Sequence, residues 1–117
     1  MAIIKGDRWA RPIQSDISQV TREESGTTYT FLDSDHGTKI EFSNAGAITA
    51  SLNTGLRSDF SCVYEPTGGG TVTISGTATL NIADGASYTD TEKDNVVIAI
   101  IPTTTTDEFT IQGRLIP

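Results

Sequence analysis

One histidine, His36, stands in the stretch Asp33-Ser34-Asp35-His36-Gly37, with Glu41 close behind it. A histidine beside carboxylates suggests proton transfer, but a Ser-His-Asp device also needs its serine on a sharp elbow. No Gly-x-Ser-x-Gly occurs here. The same carboxylates, Asp33, Asp35 and Glu41, are of the type that crowds a hard cation. The calcium loop that this spacing would have to satisfy wants a ligand at its fifth place, glycine at the sixth and glutamate at the twelfth. Counted from Asp33, those places hold Gly37, Thr38 and Asn44. An Asx-type turn is the default reading, with calcium binding the alternative. There is one cysteine, Cys62, and no histidine or cysteine pair for a transition metal. The residues therefore assign no catalytic, metal-binding or cofactor-binding position. A glycan hydrolase would need two carboxyl groups facing each other across a cleft, and the acidic residues here fall nearly all in turns.

The run Gly68-Gly69-Gly70 raises the question of a phosphate cradle. Such a cradle needs a strand before the glycines and a helix after them, whose N-terminal amides face the anion. Here the glycines lead into "TVTISGTATLNI", in which Val72, Ile74, Ala78, Leu80 and Ile82 alternate with polar residues. That is the period of a half-buried strand, so the glycines read as a turn. Gly76 keeps the alternation and marks either one bent strand or two strands joined at a corner.

Aromatic side chains are the remaining chemistry-bearing group. Trp9, Tyr29, Tyr64 and Tyr88 would form a sugar-stacking surface if they clustered. The phase of Phe60, Cys62 and Tyr64 puts Tyr64 and the cysteine in the core, and Tyr88 is expected on an exposed loop.

The elements that must position these residues are short. Threonine is the commonest residue, a type that suits a pleated surface and fits poorly in a helix interior, and no segment shows a helical stripe. Strands are expected over 28–32, 38–43, 47–52, 59–65, around Gly76, over 95–102 and over 108–116. The nearly continuous apolar run at 95–102 is expected to be central and covered on both faces. About eight short antiparallel strands with frequent turns make an all-β sandwich, jelly-roll-like fold or small barrel. The 117 residues suit one domain, divided into an extended N-terminal arm over 1–25 and a single β domain over 26–117.

Charge divides the chain in the same way. The first 22 residues carry Lys5, Arg8, Arg11 and Arg22 against Asp7 and Asp16, a balance of +2, and the rest carries four cations against thirteen carboxylates, a balance of −9. The net charge of −7 argues against a general nucleic-acid binder, which must neutralise phosphates. The arm has no strand or helix period, yet it holds Trp9 and the pair Ile3 and Ile4. Charge alone is met by a solvated arm, but its apolar side chains are expected to anchor against the body or an acidic partner, so Ile3, Ile4, Arg8, Trp9 and Arg11 are the candidate partner-binding residues. No apolar run is long enough to cross a bilayer, and the first residues lack the apolar segment of a secretory signal. Synthesis in the cytoplasm, with no membrane partner, is expected.

In order, "YTFLDSDHGTKIEF", "SNAGAITASL", "FSCVYEPTGGGTVTISG", "LNIADG", "NVVIAII" and "FTIQGRL" make a pattern that resembles a small β domain of tailed-bacteriophage virion proteins. That domain is found in tail fibres and in capsid-attached fibres or decorations. The resemblance covers Thr28 to Leu115, about three quarters of the chain. It implies a virion structural protein, not an enzyme, made in the host cytoplasm and assembled as a homo-oligomer, with a trimer favoured and a dimer the alternative. Its partner would be the major capsid protein or another virion protein. The family often carries a tryptophan ahead of its terminal Gly-x-Leu; Phe109 holds that region here. With a short arm in front and the chain closing soon after "GRL", the expectation is a capsid decoration or cement protein attached through its arm. A tail-fibre or adhesin module for host-surface carbohydrate is the alternative.

Overall fold

In a computed structural model, residues 20–92, 94 and 96–117 are described. Residue alternation sets the strands: β1 (Val20–Glu24), β2 (Thr28–Thr30), β3 (Thr38–Phe42), β4 (Ile48–Ser51), β5 (Cys62–Pro66), β6 (Val72–Ser75), β7 (Thr79–Ile82), β8 (Asp90–Thr91), β9 (Ile98–Pro102), β10 (Glu108–Gln112) and β11 (Leu115–Ile116). One short 3-10 turn, Asp33–Asp35, interrupts them. They form two layers: a six-stranded sheet in the order β1-β3-β5-β9-β10-β7 and a five-stranded sheet in the order β11-β8-β6-β4-β2. The all-β sandwich expected from the alternation is the observed architecture.

The strand directions correct the antiparallel expectation: among the described residues five of the nine pairings are parallel. Over the first six strands, each polar connection carries the chain from one sheet to the other instead of folding it back as a hairpin. Consecutive strands there face each other across the core, and a strand pairs with the one two places along. Parallel neighbours always need a crossover; here the crossover is the intervening strand of the opposite sheet. β1–β2, β3–β4 and β5–β6 are three stacked coils, with β1, β3 and β5 parallel in one layer and β2, β4 and β6 parallel in the other. The register advances by 18 to 24 residues per coil, as in Val20 opposite Thr38 and Ile48 opposite Val72.

After β6 the chain turns at Gly76, whose φ of +126° is a left-handed value that favours glycine. The long alternating run is thus two strands, β6 and β7, in different layers. The β9–β10 hairpin then inserts between β5 and β7, antiparallel to β5 through β9 and parallel to β7 through β10.

The inward residues of both layers make one core. Ile40, Phe42, Ile48, Ala50, Leu52, Phe60, Tyr64, Val72, Ile74 and Ile98 are fully buried. Phe31, Phe60 and Phe109 meet edge to face in sequence, with centroids 6.4 and 6.1 Å apart, a geometry that adds to simple burial.

Three further expectations change. Residues 20–24, assigned from sequence to the arm, are strand β1, at the edge of the sheet among the described residues. Strand β9 is internal to its sheet but open on its outer face, where Ile101 is 38% and neighbouring Val97 49% exposed. Its run of apolar residues reflects a sheet covered on one side only. Tyr88, expected on an exposed loop, is half-buried and packs against the core.

Candidate interaction surface

The candidate arm residues Ile3, Ile4, Arg8, Trp9 and Arg11 lie outside the described residues. The other residues singled out from sequence are dispersed by the coil geometry into separate, mostly structural settings.

The acidic group is split. Asp33 Oδ1 accepts the Arg57 amide at 2.7 Å, and Glu41 faces Lys39 at 3.4 Å on the outside of β3. Asp35 is buried. Its carboxylate accepts hydrogen bonds from the Tyr29 hydroxyl at 2.7 Å and the Leu32 amide at 2.9 Å, and it is paired with the Arg22 guanidinium. Arg22 also pairs with Glu24 and lies over the Tyr29 ring, 5.5 Å from its centroid. Burial pushes the Tyr29 hydroxyl up to about 12, and the hydrogen bond to Tyr29 raises Arg22 above its ordinary value. The cluster joins β1 and β2 of the first coil to the turn that opens the second. Among the described residues no three His, Cys, Asp or Glu side chains converge as a metal site would need.

His36 also has an architectural place. Its Nδ1 accepts the Ser61 amide at 3.1 Å, and its ring lies 6.4 Å from that of Phe60. Cys62 is a buried thiol that burial raises to about 12. Tyr64 has no exposed surface; burial raises its hydroxyl, which meets no hydrogen-bond partner among the described residues.

The glycine run is a stacked turn. A Cβ on Gly68 would lie 1.9 Å from the Ser43 carbonyl oxygen and one on Gly70 would lie 2.0 Å from that of Gly46. Only glycine lets the third coil's turn rest directly on the second's. The second turn in turn holds the first, since Asn44 Nδ2 donates to the Ser25 carbonyl at 2.9 Å. The Gly69 amide donates to Asp94 Oδ1 at 2.8 Å. The amide that a phosphate would have used is taken by a carboxylate of the same chain.

The described cations are Arg22, Lys39, Arg57 and Arg114, and each lies within ion-pair distance of a carboxylate. Thirteen carboxylates stand against these four among the described residues, so the body presents an acidic surface with its described positive charge already engaged.

The feature that sequence reasoning missed is at the far end of the sandwich. Beside β7 are two adjoining hollows of about 370 and about 330 Å³, with Ile82, Ala83 and Thr110 common to both. Leu80 and Ile82 pack against the core but are only half-buried, because among the described residues β7 is the last strand of its sheet and β11, the last strand of the other, has two residues. A signal was present in the sequence. Edge strand β1 carries Arg22, Glu23 and Glu24, whereas edge strand β7, Thr-Leu-Asn-Ile, carries no charge.

No family model, curated protein or solved structure matches the chain.

Proposed function

We propose that the protein is a non-enzymatic structural component of a tailed-phage virion, a decoration or cement protein held on the head through its N-terminal residues. One observation carries this reading. The segments that make the resemblance to phage virion domains are the ones that build the core and lock the coils: Tyr29, Phe31 and Asp35, then Phe60, Tyr64 and the three glycines, then Phe109. A pattern made of braces and stacked turns suits a part whose task is mechanical. The acidic body and the basic, apolar front segment divide that task between a passive surface and an attaching element. Binding that favours the assembled shell over its dissociated subunits stabilises the shell by mass action.

The alternative, a carbohydrate-recognising fibre or adhesin module, would use aromatic platforms. Tyr64 is buried and Tyr88 is packed against the core, so decoration is the reading retained.

Co-sedimentation of the full chain with isolated phage heads and with isolated tails tests it. Saturable, salt-sensitive binding to heads is expected. Binding to tails alone, or binding abolished by a soluble host glycan, would replace decoration with the fibre reading.

A further inference from the structure

We infer that the hollow edge at β7 receives residues 2–12 of a neighbouring copy of this chain, added as an extended strand. The inference rests on the proposed role of the N-terminal residues as an attaching element and gives that element a receptor. An uncharged edge strand with half-exposed apolar side chains is a template for strand addition, and soluble proteins ordinarily blunt such edges with charge. The same sheet does so at β1 and not at β7. In strand addition the main chain supplies affinity, while hollows for alternate side chains supply selectivity.

The occupant is chosen by charge and reach. Residues 2–12 carry Lys5, Arg8 and Arg11 against Asp7, together with Ile3, Ile4 and Trp9. The receiving rim has exposed Asp84, which no described cation approaches within ion-pair distance, and Glu108 beside Asn81. Two β7 edges brought together would set like charges against each other; a basic apolar segment would not.

Among the described residues, β1 and β7 are the opposite edges of a sheet of six strands, about 24 Å apart at ordinary strand spacing. The link from residue 13 to residue 19 spans at most about 25 Å fully stretched. A chain filling its own groove would need that link drawn taut over the sheet, whereas a neighbour places no such demand.

Trp9 is the only tryptophan, so its emission reports the occupant directly. Sedimentation of the full chain over a range of concentrations, with emission recorded alongside, is the test. Self-association with a blue shift is expected, weakened about tenfold or more, equivalent to about 1.4 kcal/mol, by Ala86→Arg or Asp84→Lys at an unchanged urea midpoint. Adding Arg8→Glu to Asp84→Lys should restore part of the loss. Association indifferent to both groove substitutions, a monomer at all concentrations, or a blue shift independent of concentration would each overturn the inference. Head binding that survives while association ignores the groove leaves the decoration reading standing; groove-dependent association with no particle binding removes that reading and leaves the groove.

Discussion

The Tyr29 hydroxyl donates to the buried Asp35 carboxylate at 2.7 Å, across the joint between the first and second coils. Arg22 completes the charge balance from β1. Arg22→Ala leaves the buried Asp35 carboxylate without its charge partner and should cost about 3 kcal/mol. Asp35→Ala leaves an Arg22 that is 39% exposed and still paired with Glu24, and should cost about 1–3 kcal/mol through the hydrogen bonds it removes. Tyr29→Phe, which keeps the ring but removes the bond donated to Asp35 and the one accepted from Arg22, should cost about 1–2 kcal/mol. Urea unfolding of the three variants checks the order; equal small losses would show that the cluster is not a brace.

The glycine turns carry the second expectation. Gly68→Ala and Gly70→Ala drive a methyl into the carbonyls of Ser43 and Gly46, and Gly76→Ala meets the Leu52 carbonyl at 2.1 Å with a strained φ as well. Each should destabilise by about 3 kcal/mol. Gly26→Ala, whose Cβ would find its nearest neighbour at 3.7 Å, is the control and should stay within about 0.5 kcal/mol of the parent. Urea midpoints of the four variants make the comparison.

How far the sequence speaks is clearest at these same positions. Alternation around Val72 and Ile74 identified strands and their buried faces, because side-chain period is a local property. It did not reveal that β3 and β5 run parallel, since direction depends on whether a connection returns within a sheet or crosses the core, and both kinds of connection are polar. The run over 95–102 suggested two covered faces; its outer residues Val97 and Ile101 remain open, as apolar content alone does not say what lies opposite. The candidate site was less legible. The β7 hollow arises from where the neighbouring strands end, and only the missing charge in Thr-Leu-Asn-Ile hinted at it. His36 and Asp35 stood out for their chemistry and proved to be fasteners.

Tyr64 offers a stabilising change. Its hydroxyl is buried without a partner among the described residues, and such a group costs about 1–3 kcal/mol. Tyr64→Phe should therefore raise the melting temperature by about 4–8 °C for each kcal/mol regained. A fall in melting temperature would mean that the hydroxyl is satisfied in solution.

Alkali should destabilise the protein through the buried Cys62 thiol and the half-buried Tyr29 hydroxyl. Cys62 rises from 9.0 to about 12 and Tyr29 from 10.0 to about 12, both chiefly by burial. Between those limits the folded state keeps protons that the unfolded state has lost. This contribution is therefore fully present below pH 9 and declines as pH rises from 9 to 12. Cys62→Val should flatten the lower part of that decline. In the parent, the thiol should resist iodoacetamide at about pH 8, where a free cysteine is already reactive, until urea unfolds the chain.

The most direct measurement of the central claim, an acidic, cross-braced body attached by its basic front, compares two charge reversals in the head-binding assay. Arg8→Glu with Arg11→Glu should reduce attachment about tenfold or more without moving the urea midpoint, and Arg57→Glu, on the exposed body beside Asp59, should leave attachment unchanged. Full attachment by the double variant, or loss on reversing Arg57, would contradict it.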